Sequence, residues 1–215
     1  MKYKLICMDM DGVLLDDTRN TWMEVHKAFG TLEEGTRLTE RYLYTDYDTL
    51  VEEVVGKLWK GRDATPYIQM CEELPLMRGV DELFAYIKDN HLISAIISGG
   101  SMRAARRIDA IYGVDHVFAN ELVIKDNIVT GEFLWPVGIG YQAKARIVRH
   151  LAQDHGVEPA EIVYVGDSTN DVEAFKFVGL AIAFNTDDQR VRDAADVIVE
   201  GNNLCDVVAA LREHH

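Results

Sequence analysis

Short apolar runs alternate with amphipathic stretches along the chain from residue 80 onward. The apolar runs, which predict buried strands, cover 92–97, 161–165, 180–184 and 196–199, and residues 118–129 read as a strand entering a hairpin that turns at Asp126-Asn127. The amphipathic stretches predict helices over 80–90, 101–111, 144–155, 171–178 and 204–212. Strands separated by helices indicate an α/β fold with a doubly wound, mostly parallel sheet.

The N-terminal stretch begins with another apolar run, 5–7, followed at once by the acidic segment MDMDGVLLDD. Asp9 and Asp11 stand two residues apart, so an extended chain places both carboxylates on one face, and Gly12 then breaks the strand. The carboxyl ends of strands are where an α/β sheet carries its chemistry. Crowded acids need a divalent cation or a shared proton. The alternative is a strand that ends in a solvated acidic turn.

Residues 17–77 differ from the rest because they contain helical patterns and no convincing strand. These patterns cover 22–29, 33–43, 47–59 and 66–74. An ordinary crossover needs one helix, so this segment is predicted to be a helical cap inserted above the sheet edge. The predicted division is a catalytic core of residues 1–16 and 78–215 and a cap of residues 17–77. In the alternative, these helices simply cover one face of the sheet.

Composition narrows the choice of partners. The chain has 215 residues, 48% hydrophobic and 27% charged, with a formal net charge of −14. This acidity argues against a nucleic acid or an anionic membrane as partner. Three widely spaced cysteines (Cys7, Cys71 and Cys205) form no CxxC motif. With no long apolar run and no signal-peptide pattern, the reducing cytoplasm is the expected location.

Three further segments follow predicted strands or open predicted helices. Ser98-Gly99-Gly100 allows backbone amides to converge on phosphate oxygens, although such a sequence is also a common loop. Lys144 is either a surface lysine or a charge that neutralises acids and a phosphoryl group. Asp167 and Asp171 lie four residues apart, which suits Mg²⁺ ligation or simple helix capping.

These motifs, in this order, resemble those of the haloacid dehalogenase-like phosphohydrolases along essentially the whole chain. FANELVIKDNIVTGEF and VGDSTNDVEAFKFVGLAIAFN are most similar to the phosphoserine-phosphatase-like branch, which carries a helical cap after its first motif. The resemblance implies that Asp9 is a nucleophile forming an aspartyl-phosphate and that Asp11 is the general acid and base. It further implies Mg²⁺ bound by Asp9, the Asp11 backbone carbonyl, Asp167 and Asp171, and phosphoryl oxygens held by Ser98, Gly99, Gly100 and Lys144, with Asn170 orienting the phosphate or nucleophile.

The implied activity is a Mg²⁺-dependent phosphomonoesterase acting on a small phosphorylated metabolite, with phosphoserine as the best single substrate. Phosphoserine phosphatases grip the amino acid with a glutamate after the first motif and a cap arginine. Here Thr18 stands at the glutamate position, Glu24 is the next acid, and the arginine nearest the 47–59 helix is Arg62.

Two other functions remain open: a phosphotransferase that passes the phosphoryl group to an acceptor alcohol, and a non-catalytic phospho-acceptor module. The sequence also leaves open whether the aromatic residues of the cap line a pocket or only pack the helices; these are Trp22, Tyr42, Tyr44 and Trp59.

Overall fold

A computed structural model describes residues 2–16, 20–138 and 141–214. Within these residues, one seven-stranded sheet has the order β4-β3-β2-β1-β5-β6-β7, and every neighbouring pair is parallel except β3 and β4. The predicted α/β fold with a mostly parallel sheet is therefore confirmed. The strands are β1 (Leu5–Met8), β2 (Ile93–Ser101), β3 (His116–Lys125), β4 (Ile128–Leu134), β5 (Ile162–Gly166), β6 (Leu180–Phe184) and β7 (Val197–Val199).

Helices cover both faces of this sheet. Alternate residues of β1 enter different cores: Ile6 and Met8 pack on one side, and Leu5 and Cys7 on the other. This is the two-residue period expected of a strand buried on both faces. The helices are α1 (Thr21–Ala28), α2 (Leu32–Tyr42), α3 (Tyr47–Val51), α4 (Thr65–Glu73), α5 (Val80–Asp89), α6 (Met102–Tyr112), α7 (Ala143–His155), α8 (Val172–Phe175), α9 (Gln189–Ala194) and α10 (Leu204–Glu213).

The register of β1 brings the candidate motifs to one edge of the sheet. Met8, its last residue, lies opposite Ile96 of β2 and Val165 of β5. Residues that follow these positions in the three strands therefore come together at the carboxyl edge, as parallel pairing requires. Asp9, Ser98 and Asp167 are such residues.

Several elements differ from the prediction. The helix predicted over 47–59 is an α-helix only to Val51 and continues as a π-helix, Glu52–Trp59. The helix predicted over 171–178 is reduced to the four residues of α8, and α9 and a 3₁₀ turn (Pro159–Glu161) were not predicted. These elements are short or have an unusual period, so an amphipathic pattern does not define them.

Helices α1–α4 and the π-helix lie between β1 and α5 along the chain and are linked to the β3–β4 hairpin. Asp126 and Asn127 form the predicted turn, with φ of 51° and 62°. The amides of Gly61 and Ala64 donate to the carbonyls of Val129 and Asn127, both at 2.8 Å. The hairpin thus connects the sheet edge to this helical segment.

No helix in the described ranges combines the length and the apolar character needed to cross a bilayer. The three cysteines are free thiols, and those of Cys7 and Cys71 are buried.

The hairpin turn generates a prediction about stability. The Asn127 amide donates to Asp63 Oδ1 at 3.1 Å and to Thr65 Oγ1 at 2.9 Å, while its backbone occupies the left-handed region. We expect Asn127→Ala to lower the free energy of unfolding by about 2 kcal/mol, because it removes these hydrogen bonds and strains the turn. Asn127→Gly loses the hydrogen bonds without the strain and should cost about 1 kcal/mol less. Urea unfolding measures both; a larger loss for the glycine variant contradicts the interpretation.

Candidate active site

Lys144 joins two acidic side chains in the interior of the site. Its Nζ lies 2.6 Å from Asp9 Oδ2 and 2.7 Å from Asp171 Oδ1, and all three side chains are almost completely buried. Asp9 follows β1, Asp171 precedes α8, and Lys144 lies in the first turn of α7. The fold therefore brings together the first acidic motif, the lysine and the second acidic motif, as the sequence predicted.

Asp171 is the most heavily hydrogen-bonded acid of the group. Besides Lys144, its Oδ1 accepts from the Tyr164 hydroxyl at 2.9 Å. Its Oδ2 accepts from the amides of Asp167 and Ser168 at 3.2 and 3.1 Å and from the Ser168 hydroxyl at 3.2 Å. A carboxylate offers about four lone-pair sites. Asp171 therefore holds Lys144 and the loop after β5 in place and has little accepting capacity left.

The charges in this cluster oppose the effects of burial. Burial raises the pKa of Asp9 well above its ordinary value, and the neighbouring Lys144 ammonium acts in the other direction. Burial works to lower the pKa of Lys144, but the charges of Asp171 and Asp9 outweigh it and raise that pKa above the ordinary lysine value. Lys144 is therefore a permanent cation beside Asp9.

Asp167 completes a group of three buried acids. Asp9, Asp167 and Asp171 can each offer one oxygen such that these atoms lie within 4.8 Å of one another. Gly12 makes this approach possible: it has φ of +80°, and a Cβ there would lie 2.3 Å from Asp167 Oδ2. The glycine that ends the β1 motif is thus needed for backbone conformation and for space.

Asp11 is hydrogen-bonded to the first residue of α1. Its Oδ2 accepts from the Thr21 amide at 2.7 Å, and its Oδ1 accepts from the Thr21 hydroxyl. Burial raises the pKa of Asp11, and the two hydrogen bonds from Thr21 oppose that shift. Asp9 and Asp11 therefore occupy different environments although they are separated by one residue.

Ser98, Gly99 and Gly100 were expected to form a loop, but they continue β2 to Ser101, and α6 begins only at Met102. Parallel pairing of Ser101 with Asn120, after an irregularity in register, carries the strand this far. The buried Ser98 Oγ accepts from the Gly100 amide at 2.9 Å. A Cβ at Gly99 would meet no atom within 4 Å, so this part of the strand borders open space.

The Gly99 carbonyl is held from two sides. Trp22 Nε1 of α1 donates to it at 2.8 Å, and Asn120 Nδ2 of β3 donates at 3.0 Å. Sequence reasoning noted Trp22 only as one of several aromatic residues and did not identify Thr21 or Asn120. It also missed Tyr164, for which the one available signal is a tyrosine within the otherwise aliphatic strand IVYV.

The remaining predicted residues are more peripheral. Asn170 is exposed, and its Oδ1 accepts from Ser168 Oγ at 2.7 Å; no contact in the described residues links it to Asp9. Arg62 donates to the carbonyls of Leu58 and Phe29, so its guanidinium caps the surrounding backbone. Thr18 lies outside the described residues.

Comparison with known proteins places the chain in a family. Residues 3–179 match the family model of the haloacid dehalogenase-like hydrolases. The chain is 31% identical to a phosphoserine phosphatase of Archaeoglobus fulgidus over 97% of its own length and 60% of the relative's. It is also 31% identical to a phosphoserine phosphatase of Idiomarina loihiensis, over 97% of its own length and 94% of the relative's.

The fold agrees with these matches. The solved structure of a phospho-aspartyl intermediate analogue of phosphoserine phosphatase superposes with a TM-score of 0.83 and 27% identity, covering 98% of this chain and 99% of the other. The family match over most of the chain and the shared fold agree with each other. The chain belongs to the haloacid dehalogenase-like hydrolases and is similar to their phosphoserine phosphatases.

Proposed function

We propose that the protein is a Mg²⁺-dependent phosphomonoesterase that cleaves a small phosphorylated metabolite through an aspartyl-phosphate on Asp9. The observation that carries this proposal is the buried Asp9 carboxylate, held 2.6 Å from the Lys144 ammonium at the carboxyl edge of the sheet. A carboxylate fixed beside a permanent cation is suited to attack an anionic phosphoryl group, because the cation offsets the repulsion between the two anions.

The proposed reaction divides the work between Asp9 and Asp11. Asp9 attacks phosphorus, the bond from phosphorus to the ester oxygen breaks, and Asp11 gives its proton to the leaving alkoxide. Asp11 then takes a proton from a water molecule, whose oxygen attacks the phosphorus of the aspartyl-phosphate and restores Asp9. The raised pKa of Asp11 supports this role, since the group has to hold a proton before the first step.

The phosphoryl oxygens are assigned to the end of β2 and to Lys144. The Gly100 amide donates to Ser98 Oγ, which positions this hydroxyl and leaves its proton for a phosphate oxygen, and Gly99 borders open space in which a phosphate can lie. Lys144 supplies the positive charge. For Asn170, exposed and bonded to Ser168, orientation of the phosphate stays a prediction.

The buried acids fit a magnesium ion. Mg²⁺ prefers oxygen ligands and takes one or two carboxylates together with substrate phosphate, and the cluster offers three carboxylates within 4.8 Å of one another. Asp9, Asp167 and the Asp11 backbone carbonyl are the proposed ligands. Asp171, occupied by its own donors, acts indirectly by positioning Lys144 and the loop that carries Asp167. When bound, the ion polarises the phosphoryl oxygens and offsets the charge of the acids.

The proposed domain division assigns residues 17–77 to a cap that covers this site. Thr21 bonds Asp11, and Trp22 bonds the Gly99 carbonyl, so α1 lies directly over the reacting groups. The names of the relatives make phosphoserine the first ester to test. A location in the cytoplasm, and partners that exclude nucleic acid and membranes, stay predictions from composition.

The nucleophile assignment predicts the effect of Asp9→Asn. We expect this variant to lose hydrolysis of p-nitrophenyl phosphate by about a thousandfold or more, because an amide does not form the covalent intermediate. Asp206→Asn, an exposed acid of α10, is the matched control and should keep full activity. Phosphate release measured with Mg²⁺ tests both, and a thermal melt checks that both are folded. Near-normal turnover by Asp9→Asn refutes the assignment.

The same assay distinguishes hydrolysis from phosphotransfer. Phosphate release should stay the main outcome when acceptor alcohols are added. Transfer to the alcohol exceeding release of phosphate supports the phosphotransferase alternative.

The metal assignment predicts stabilisation by the ion. At about one hundred times its dissociation constant, Mg²⁺ should raise the free energy of unfolding by about 2.7 kcal/mol. We expect Asp167→Asn to lose most of this gain and Asp206→Asn to keep it. Thermal unfolding with and without Mg²⁺ measures the effect, and an equal gain in the two variants rules out Asp167 as a ligand.

The positioning role of Asp171 predicts a cost for Tyr164→Phe. Removing a buried hydroxyl that donates to a carboxylate should lower the free energy of unfolding by about 2 kcal/mol. Tyr112→Phe removes a similar bond, to Asp81 at 2.7 Å, on the surface and should cost less than about 1 kcal/mol. Urea unfolding compares the two variants. Equal losses of unfolding free energy contradict the idea that the buried hydrogen bond to Asp171 stabilises the protein more than the exposed one to Asp81.

A further inference from the structure

The peptide group between Gly99 and Gly100 is fixed at both of its ends. Its carbonyl oxygen, on Gly99, accepts from Trp22 Nε1 at 2.8 Å and from Asn120 Nδ2 at 3.0 Å. Its N–H, on Gly100, donates to Ser98 Oγ at 2.9 Å. A trans peptide group is a rigid plane whose C=O and N–H point in opposite directions, so the bonds that orient the carbonyl also orient the N–H.

This peptide lies where the pairing of β2 with β3 is irregular. The register between the two strands shifts between Ile97 and Ser101. Such irregularities are over-represented next to active sites, where they re-aim side chains. A backbone carbonyl needs a hydrogen-bond partner also where the regular ladder is interrupted. Side chains from two different elements, α1 and β3, bond the Gly99 carbonyl, so they determine the direction in which it points.

Asn120 is a polar residue in the interior of the protein. It is 1% exposed, and among the described residues no donor reaches its Oδ1, so the bond from Nδ2 to Gly99 orients its amide. Burying an amide with an unpartnered oxygen costs free energy, and an apolar residue of the same size avoids that cost. The bond to the Gly99 carbonyl is therefore what an asparagine provides at this position.

The fixed peptide borders two groups of the proposed reaction site. Ser98 Oγ accepts the Gly100 N–H, which leaves the hydroxyl proton for a phosphate oxygen. Gly100 also packs against Asp11, because a Cβ there would lie 3.0 Å from both carboxylate oxygens. Thr21, which bonds Asp11, directly precedes Trp22 in the chain. A movement of this peptide would therefore disturb the hydroxyl of Ser98 and the surroundings of Asp11.

We propose that Trp22 and Asn120 are positioning residues, which aim the Ser98 hydroxyl at the phosphoryl group through the peptide between Gly99 and Gly100. Their role requires no contact with the substrate. The inference rests on the proposed phosphomonoesterase activity and adds two residues to it. Trp22 belongs to the helical segment and Asn120 to the sheet, so both parts of the chain hold the end of β2.

Two variants remove one donor each and keep most of the packing. Trp22→Phe deletes the indole N–H, and Asn120→Leu replaces the amide by an apolar group of nearly the same size. We expect each to lower kcat/KM for p-nitrophenyl phosphate with Mg²⁺ about tenfold, less than the roughly hundredfold that a misplacement of about 1 Å costs. The loss should fall mainly on kcat, because a misaimed hydroxyl stabilises the transition state less.

Trp59→Phe is the matched control. Trp59 donates its indole N–H to Thr31 Oγ1 at 3.1 Å, and the centroid of its ring lies 6.3 Å from that of Trp22. This variant loses the same kind of bond and the same part of a ring in the same helical segment, but not at Gly99. Its kcat/KM should stay within about twofold of the wild-type value. Thermal unfolding checks that all three variants fold, and Asn120→Leu tests the proposal if Trp22→Phe does not.

Combination with Ser98→Ala separates positioning from a general structural effect. Residues that act through a common partner have non-additive effects. Once the Ser98 hydroxyl is absent, Trp22→Phe and Asn120→Leu should lower kcat/KM further by less than about twofold. A general loosening of the structure would instead lower kcat/KM by the same factor in both backgrounds.

Three results overturn the proposal. The first is a tenfold loss that persists unchanged in the Ser98→Ala background, and the second is a wild-type kcat/KM in either single variant. The third is full activity of Ser98→Ala, since the hydroxyl then has no part in the reaction. Turnover by the wild-type protein separates the two levels: if it hydrolyses p-nitrophenyl phosphate in those cases, only the positioning role fails, whereas no turnover with Mg²⁺ refutes the phosphomonoesterase itself.

Discussion

The ion pair between Lys144 and Asp9 is the interaction on which the site depends. Three acids and one lysine are buried together at the edge of the sheet, and such charges are tolerated only when paired and hydrogen-bonded. Asp171 provides the second partner of Lys144, and Tyr164 with two amides fixes Asp171. Parallel pairing brings Asp9 close to the loop that carries Asp171, because β1 and β5 end side by side. The sheet therefore holds in place charges that would otherwise repel.

The same arrangement gives Asp9 and Asp11 contacts with different parts of the molecule. Asp9 contacts core residues, whereas Asp11 contacts Thr21, at the start of the helical segment. Trp22, the next residue, bonds the carbonyl of Gly99. The hairpin supports that segment from the other side through Asn127. Under the proposed function, changes in the helical segment alter the leaving group that fits while the core around Asp9 stays the same.

The sequence predicted much of this architecture because buried strands and acidic motifs are local patterns. Asp9, Lys144 and Asp171 meet as the motif order implied, and the turn at Asp126-Asn127 was readable from the residues alone. The extension of β2 through Gly99 was not, since it depends on pairing with β3, and glycines ordinarily indicate a loop. The π-helix and the contacts of Trp22 depend in the same way on tertiary packing, for which one sequence carries no periodic signal.

Similarity to phosphoserine phosphatases says more about the core around Asp9 than about the side chains that contact the leaving group. Phosphoryl transfer needs a nucleophile, a cation and donors at fixed positions, so the proposed reaction site around Asp9 is constrained by chemistry common to all phosphate esters. Discrimination among leaving groups depends on a few side chains: a site built to pair a charged group rejects a neutral one, and an apolar cavity rejects the charge. Identity of about 30% across the chain can therefore coexist with a different alcohol.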